Sequence, residues 1–243
     1  MRVLVTRPEP DCARTARALR ERGHDVVVSP LMRIEPIVDA RIGAGPWGAV
    51  VFTSANAAHG FASHPLGAEL LATPVFTVGA RTAVAARACG FAEVRPADGD
   101  VAALAGMIAA SGLDCTRPLL YPAGEDRARD LAELLAPHGL KVETVAIYRA
   151  VIVDTLSREA RVALVDGTID AVLHFSRRSA QAFVAATKVA NLRAEGLALR
   201  HLCLSAEIAS VLIAAGAKQV TIAPRADQQT LLNLLDHLRG LHP

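Results

Sequence analysis

Residues able to bind anions or move protons recur at six points, each just after a short apolar run. They are Thr6-Arg7-Pro8, Thr53-Ser54-Ala55-Asn56, Gly79-Ala80-Arg81-Thr82, Pro122-Ala123-Gly124, Ser176-Arg177-Arg178-Ser179 and Ser205-Ala206-Glu207. Nearly all are small, hydroxylic or cationic, and nearly all open a run with helical periodicity. Free N–H groups at a helix start carry partial positive charge and bind carboxylate or phosphate. Ser and Thr there add donors without bulk. Plain N-capping explains Ser, Thr and Asn at any single turn. Several such turns, together with Arg7, Arg81 and Arg177, point instead to a polyanion site. Glu125, Asp126 and Glu207 work against it, because an acid suits a helix start but repels an anion. Tyr148, one of only 2 tyrosines, ends an apolar run beside Arg149. Its hydroxyl could donate a proton or hydrogen bond into a cleft; an amphipathic residue lining a linker is the plainer reading.

Other motifs fail on context. Gly43-Ala44-Gly45-Pro46-Trp47-Gly48 spells GxGxxG, but it precedes an apolar run, whereas a dinucleotide fingerprint follows a strand and opens a helix. It reads as a loop. No GxxxxGK[ST], GxSxG or HExxH occurs, which disfavours a P-loop enzyme, a nucleophile elbow and a zincin. His59 and His64 lack a neighbouring acid at ligand spacing and read as surface or capping residues. His174 reads as a packed side chain within a strand. No Lys falls in the strand-end turns, so Schiff-base chemistry has no candidate. Cys12, Cys89, Cys115 and Cys203 are far apart and form no CxxC; they read as small buried hydrophobes in a reducing compartment.

The elements that must position these residues alternate. Short β-branched runs (Val3 to Thr6, Asp25 to Ser29, Ala49 to Thr53, Pro74 to Val78, Ala92 to Pro96, Pro118 to Tyr121, Lys141 to Tyr148, Ala171 to Phe175, His201 to Leu204, Gln219 to Ala223) predict strands. Between most of them lie Ala/Leu-rich helical patterns, including Asp11 to Arg22, Arg127 to Ala136 and Asp227 to Arg239. Apolar strands alternating with helices indicate parallel sheets covered on both faces. In such sheets ligands bind beyond the carboxyl ends of the strands, where the turns above fall. A weak internal repeat pairs Gly23 with Gly139, Arg33 with Arg149, Ser54 with Ser176, Phe61 with Phe183 and Gly90 with Gly216. It predicts two similar α/β lobes with crossovers near 33–36 and 148–153. Whether each lobe is contiguous stays open at this point.

Composition bounds the rest. The chain has 243 residues, 52% hydrophobic, enough for one large or two modest cores. A formal charge of +2 is too weak and too dispersed for tracking a nucleic-acid backbone. The mean hydropathy of +0.31 comes from scattered Ala, Val and Leu rather than one block. The uncharged stretch 42–68 is broken by Gly, Pro, Asn and His, so a spanning helix is not expected there. The opening residues show no signal-peptide pattern.

The ordered set "VLVTRP", "VVFTSANA", "VFTVGARTA", "GEDR", "VAIYRAV" and "HFSRRSA" resembles the uroporphyrinogen-III synthases along essentially the whole chain. The resemblance implies two flavodoxin-like lobes joined by a two-stranded linker, with the active site in the cleft between them. One lobe would be 1–34 plus 152–243 and the other 37–148. It implies a cytoplasmic hydro-lyase of porphyrin biosynthesis, without metal or organic cofactor. Its substrate would be hydroxymethylbilane, a linear tetrapyrrole with eight carboxylates, closed to uroporphyrinogen III with the last ring inverted. By motif position, Tyr148 would assist departure of the hydroxyl. Thr53, Ser54, Asn56, Thr82 and Ser176 would line the cleft, and Arg200 falls where some members carry a basic residue. Arg7, Arg177 and Ser205 complete the expected substrate contacts. At "LSAEIA" many relatives read "IGPTTA", so Glu207 and Ile208 replace two threonines. A monomer is expected, because no surplus apolar helix remains. Two other readings compete: a two-lobed module that binds an anionic small molecule without chemistry, and a nucleotide-dependent enzyme on an α/β core.

Overall fold

The structure, a computed structural model, describes residues 1–126 and 130–240, with the side chains of 239 and 240 left out. The chain begins with β1 (Arg2–Val5), α1 (Asp11–Glu21), β2 (Asp25–Val28) and β3 (Met32–Pro36). It continues through β4 (Ala49–Phe52), α2 (Ala55–Ala62), α3 (Pro65–Glu69), β5 (Val75–Val78), α4 (Gly79–Ala88), β6 (Val94–Ala97), α5 (Val101–Ala109), β7 (Leu119–Gly124), α6 (Leu131–Leu135) and the long β8 (Val142–Ile152). It ends with α7 (Arg158–Val165), β9 (Ala171–His174), α8 (Arg177–Val189), α9 (Arg193–Ala198), β10 (Arg200–Cys203), α10 (Ala206–Ala215), β11 (Val220–Ile222) and α11 (Gln228–Gly240). The start of the helix expected from Arg127 lies outside the described residues.

Two compact units result. The first comprises Met1–Arg33 and Val151–Pro243; the second is Ile34–Ala150. Unit 1 holds a sheet of order β11-β10-β9-β1-β2, parallel throughout. The sheet closes across the whole sequence, with Val3 opposite Ala171. Its strands are apolar on both faces because each face carries helices. Leu4, Val27 and Val172 pack with Ala180, Phe183 and Leu212 on one side. Val3, Val5 and Leu173 pack with Leu19, Leu231 and Leu235 on the other.

Unit 2 holds a sheet of order β3-β8-β7-β4-β5-β6. Val50, Phe52 and Val75 pack against Ala57, Ala58 and Phe61 of α2 and Ala85 and Ala86 of α4. Val51, Phe76 and Leu119 pack against Leu104 and Ile108 of α5 and Leu131 and Leu135 of α6. β3 runs against β8: Ile37 N–H donates to Ile147 C=O, and Val153 N–H to Leu31 C=O. The crossovers near 33–36 and 148–153 fall on β3 and the end of β8. Paired residues of the internal repeat share backbone form. Gly23 and Gly139 have φ of 76° and 72°, and Gly90 and Gly216 have 97° and 106°. Those left-handed values place glycine just past each element, where a Cβ would be strained.

Candidate active site

Each sheet reverses its strand order once, and in open α/β sheets ligands bind beyond the carboxyl ends that flank such a reversal. In unit 2 the reversal lies between β4 and β7. Thr53 follows β4, and its Oγ1 lies 2.8 Å from the hydroxyl of Tyr121 on β7. Tyr121 is buried. Sequence reading passed over it, although it sits near the carboxyl end of an apolar run, which was the available signal. The same reading placed Pro122, Ala123 and Gly124 in a turn; they belong to β7 and pair with β8, the register shifting between Ala123 and Gly124. Ser54 takes the extended backbone of an N-cap, and its Oγ accepts from Asn56 N–H at 3.1 Å. Thr82 lies buried in the first turn of α4, a helix that begins without a side-chain cap. The first N–H groups of such a helix carry partial positive charge. Tyr148, expected at a strand end, lies within β8 opposite Gly124, because pairing with β3 extends β8 to Ile152.

In unit 1 the reversal lies between β1 and β9. Ser176 closes a reciprocal capping box on α8: Ser179 N–H donates to Ser176 Oγ at 3.1 Å, and Ser176 N–H to Ser179 Oγ at 3.3 Å. Ser205 caps α10, accepting from Ile208 N–H at 3.4 Å. Ile208 is buried and Glu207 exposed, so the departure from the family's threonines fills core with one residue and turns the other outward. Arg177 is exposed at the start of α8. Ser176→Ala should cost about 1 kcal/mol of stability through the lost cap, whereas Ser176→Gly should cost only a few tenths; urea titration of both variants distinguishes the two.

Two expected contacts fare differently. Arg7 does not present a free cation. Its guanidinium donates to Asp11 Oδ2 at 2.7 Å, Thr15 Oγ1 at 3.1 Å and Gln228 Oε1 at 2.9 Å. It also stacks 4.1 Å from the Phe175 ring centroid. Asp11, one turn along, satisfies the charge that a substrate carboxylate would have met. Arg200 opens β10, opposite Ala171 at the start of β9. That is the amino edge of the sheet, so the structure separates it from Ser176 and Ser205 at the carboxyl edge.

The remaining chemistry-bearing residues are structural in their contacts. His64 caps α3, accepting from Leu66 N–H at 3.2 Å. Cys12 and Cys203 are buried as expected, but Cys89 is half-buried and Cys115 exposed. Burial pushes the Cys12 and Cys203 thiols up to about 12, which keeps them protonated and inert. Among the described residues no group of three His, Cys, Asp or Glu side chains is placed to hold a metal ion, and no helix is long and apolar enough to cross a membrane.

These features define a two-unit, parallel-sheet α/β protein whose hydroxyls and helix starts collect at the carboxyl edges of its sheets. The family profile described as "HEM4: Uroporphyrinogen-III synthase HemD" matches residues 13–233. The chain belongs to the uroporphyrinogen-III synthase family. The fold is shared with uroporphyrinogen-III synthetase from Helicobacter pylori, at a TM-score of 0.64 and 17% identity over 98% of this chain and 100% of that one. A mutant uroporphyrinogen III synthase from Thermus thermophilus gives a TM-score of 0.50 at 15% identity, over 99% of this chain and 98% of that one. No curated protein matches the chain significantly.

Proposed function

We infer that this chain is a cyclising hydro-lyase, closing hydroxymethylbilane to uroporphyrinogen III with inversion of the terminal ring. The observation that carries the inference is the family match across residues 13–233. It also displaces the reading as a binding module without chemistry. The linear substrate closes unaided to the uninverted isomer, so the enzyme's work is to make one attack win over another. Loss of the hydroxyl as water leaves a cationic azafulvene, which the substituted carbon of the terminal ring attacks to give a spiro intermediate. Holding both chain ends for that attack can contribute ~7–11 kcal/mol without a cofactor.

The site residues follow from this chemistry. Tyr148 donates a proton to the departing hydroxyl; its own hydroxyl bonds to no described residue. Thr53, Ser54, Asn56 and Thr82 on unit 2, and Ser176, Arg177 and Ser205 on unit 1, receive the acetate and propionate arms. The helix starts of α4 and α8 add main-chain N–H groups. Arg7 and Arg200 are left out, for the reasons of charge satisfaction and sheet edge given above. The protein works as a cytoplasmic monomer.

The test supplies hydroxymethylbilane and resolves the product isomers chromatographically. The type III isomer should dominate, and formation of only type I at the rate without enzyme would refute the assignment. Tyr148→Phe should lower kcat roughly 10²-fold, the usual loss for a positioned acid, with an unchanged melting temperature. Full turnover in that variant would remove Tyr148 from the mechanism and leave the positioning argument standing.

A further inference from the structure

We propose that Gly124 and the β-bulge opposite it are positioning elements for the Tyr148 hydroxyl, a role that rests on the reaction inferred above. Side chains of a regular strand alternate between faces. In β8, Val145 and Ile147 pack on the face covered by α2 and α4. Tyr148, the next residue, should then point to the face covered by α5 and α6. It packs instead against the same cluster as Ile147.

The register explains the anomaly. Ala123 pairs with Ala146, but Gly124 pairs with Tyr148, so Ile147 is the extra residue of a bulge. A bulge of this kind re-aims the side chain that follows it. Had β8 stayed regular, the phenol would lie on the opposite side of the sheet from Ser54 and α2.

Gly124 supplies the space. Leu120 faces the α2 side of the sheet, and alternation along β7 puts position 124 on that side too. A Cβ there would lie 2.9 Å from both Cζ and the hydroxyl oxygen of Tyr148, and 3.0 Å from Cε2. The hydroxyl end of the ring therefore occupies the space a side chain at 124 would take, at the carboxyl end of one of the two strands that flank the reversal. Gly124 is outside the left-handed region, so close approach rather than backbone freedom requires glycine here. The backbone is tied at the same place, where Glu125 N–H donates to Tyr148 C=O at 2.9 Å. Bulge, glycine and this hydrogen bond together fix where the hydroxyl sits. The other tyrosine, Tyr121, is bonded to Thr53 and packs on the opposite face.

The test is a double-mutant cycle on the full chain, read as kcat, KM and product isomer ratio. Gly124→Ala should lower kcat about 10²-fold, as expected when a reacting group is displaced by an ångström, with KM little changed and a larger share of type I product. In a Tyr148→Phe background the same Gly124→Ala change should leave kcat where it was, because no hydroxyl remains to misplace. Equal losses in both backgrounds, or wild-type kcat in Gly124→Ala, would overturn the proposal. Should Gly124→Ala fail to fold, Gly124→Ala/Tyr148→Ala must melt where Tyr148→Ala does, since the ring that clashes is gone; a lower melting point would overturn the contact. A wild-type protein that makes no type III isomer overturns the functional reading and this role with it. A wild type that makes type III while the cycle is additive overturns this role alone.

Discussion

Phe183→Ala should lower the unfolding free energy by about 3–5 kcal/mol, and Phe61→Ala by a similar amount. Both rings are fully buried, each on the first helix after a strand that borders its sheet's reversal. Phe183 stands edge-on to His174 and His201, with ring centroids 5.4 and 5.8 Å away. Gly196 of α9 comes so close that a Cβ there would lie 3.4 Å from the Phe183 ring and 2.7 Å from Thr187 Cγ2. With β9, β10 and α9 all against it, the site cannot collapse to fill the hole, and the full cavity penalty remains. Phe61 is locked in the same way by Phe52 and Phe91, at 5.8 and 6.3 Å. Urea unfolding of the two variants checks this, with Val165→Ala as control. Val165 is 66% exposed, so its truncation should stay within about 0.5 kcal/mol. A Phe183→Ala loss no larger than the control's would refute the rigid-core account.

Acidification from pH 7.5 to pH 5 should destabilise the protein by at least about 2 kcal/mol, rising to at least about 3 kcal/mol near pH 4, the part that His201 alone supplies. The cause is the stacked pair His174 and His201, on adjacent strands of unit 1. His174 Nε2 and His201 Nδ1 are 3.1 Å apart, and both side chains are completely buried. One ring donates and the other accepts, and the accepting ring must be neutral. The outer nitrogens, His174 Nδ1 and His201 Nε2, have no hydrogen-bond partner of good geometry. Burial pulls His201 down to about 4, against a weaker opposing pull from the Leu197 and Gly196 backbone. Burial, then the neighbouring His201, holds His174 well below the ordinary histidine value. The folded pKa is thus depressed below the unfolded 6.5. Between the two values the unfolded chain binds more protons, so stability falls as pH drops through 6.5 and the loss from His201 is complete below about 4. Melting temperatures at pH 7.5, 5 and 4 measure it. In His174→Leu/His201→Leu the drop between pH 7.5 and pH 5 should shrink sharply, because replacing both partners by apolar groups removes this pair's rings from the titration. An unchanged melting temperature in the wild type across that range would refute the account.

The legible part of the candidate site was its local part. Ser54, Ser176 and Ser205 could be read as N-caps because a cap is a matter of one hydroxyl and the amides two or three residues on. Gly23 is legible for the same kind of reason, a single residue past a helix end. The contacts of Arg7 were not legible because its partners are not all local. Asp11 is near, but Gln228 arrives from the far end of the chain and Phe175 from the neighbouring strand. The role of Tyr121 was missed because its hydroxyl is meaningful only beside Thr53, a neighbour made by the β4–β7 reversal.

By itself the amino-acid order determined the class of fold and the family. Apolar runs of strand length, helical periodicity between them and an ordered motif set all depend on spacing along one chain. Only the tertiary structure decided which strands are neighbours, that β1 closes on β9 across 1–33 and 151–243, and that an extra residue in β8 turns Tyr148 onto Gly124. The reason is physical: strand order and register are set by side chains meeting across the sheet, and a shift of one residue reverses the face each side chain occupies.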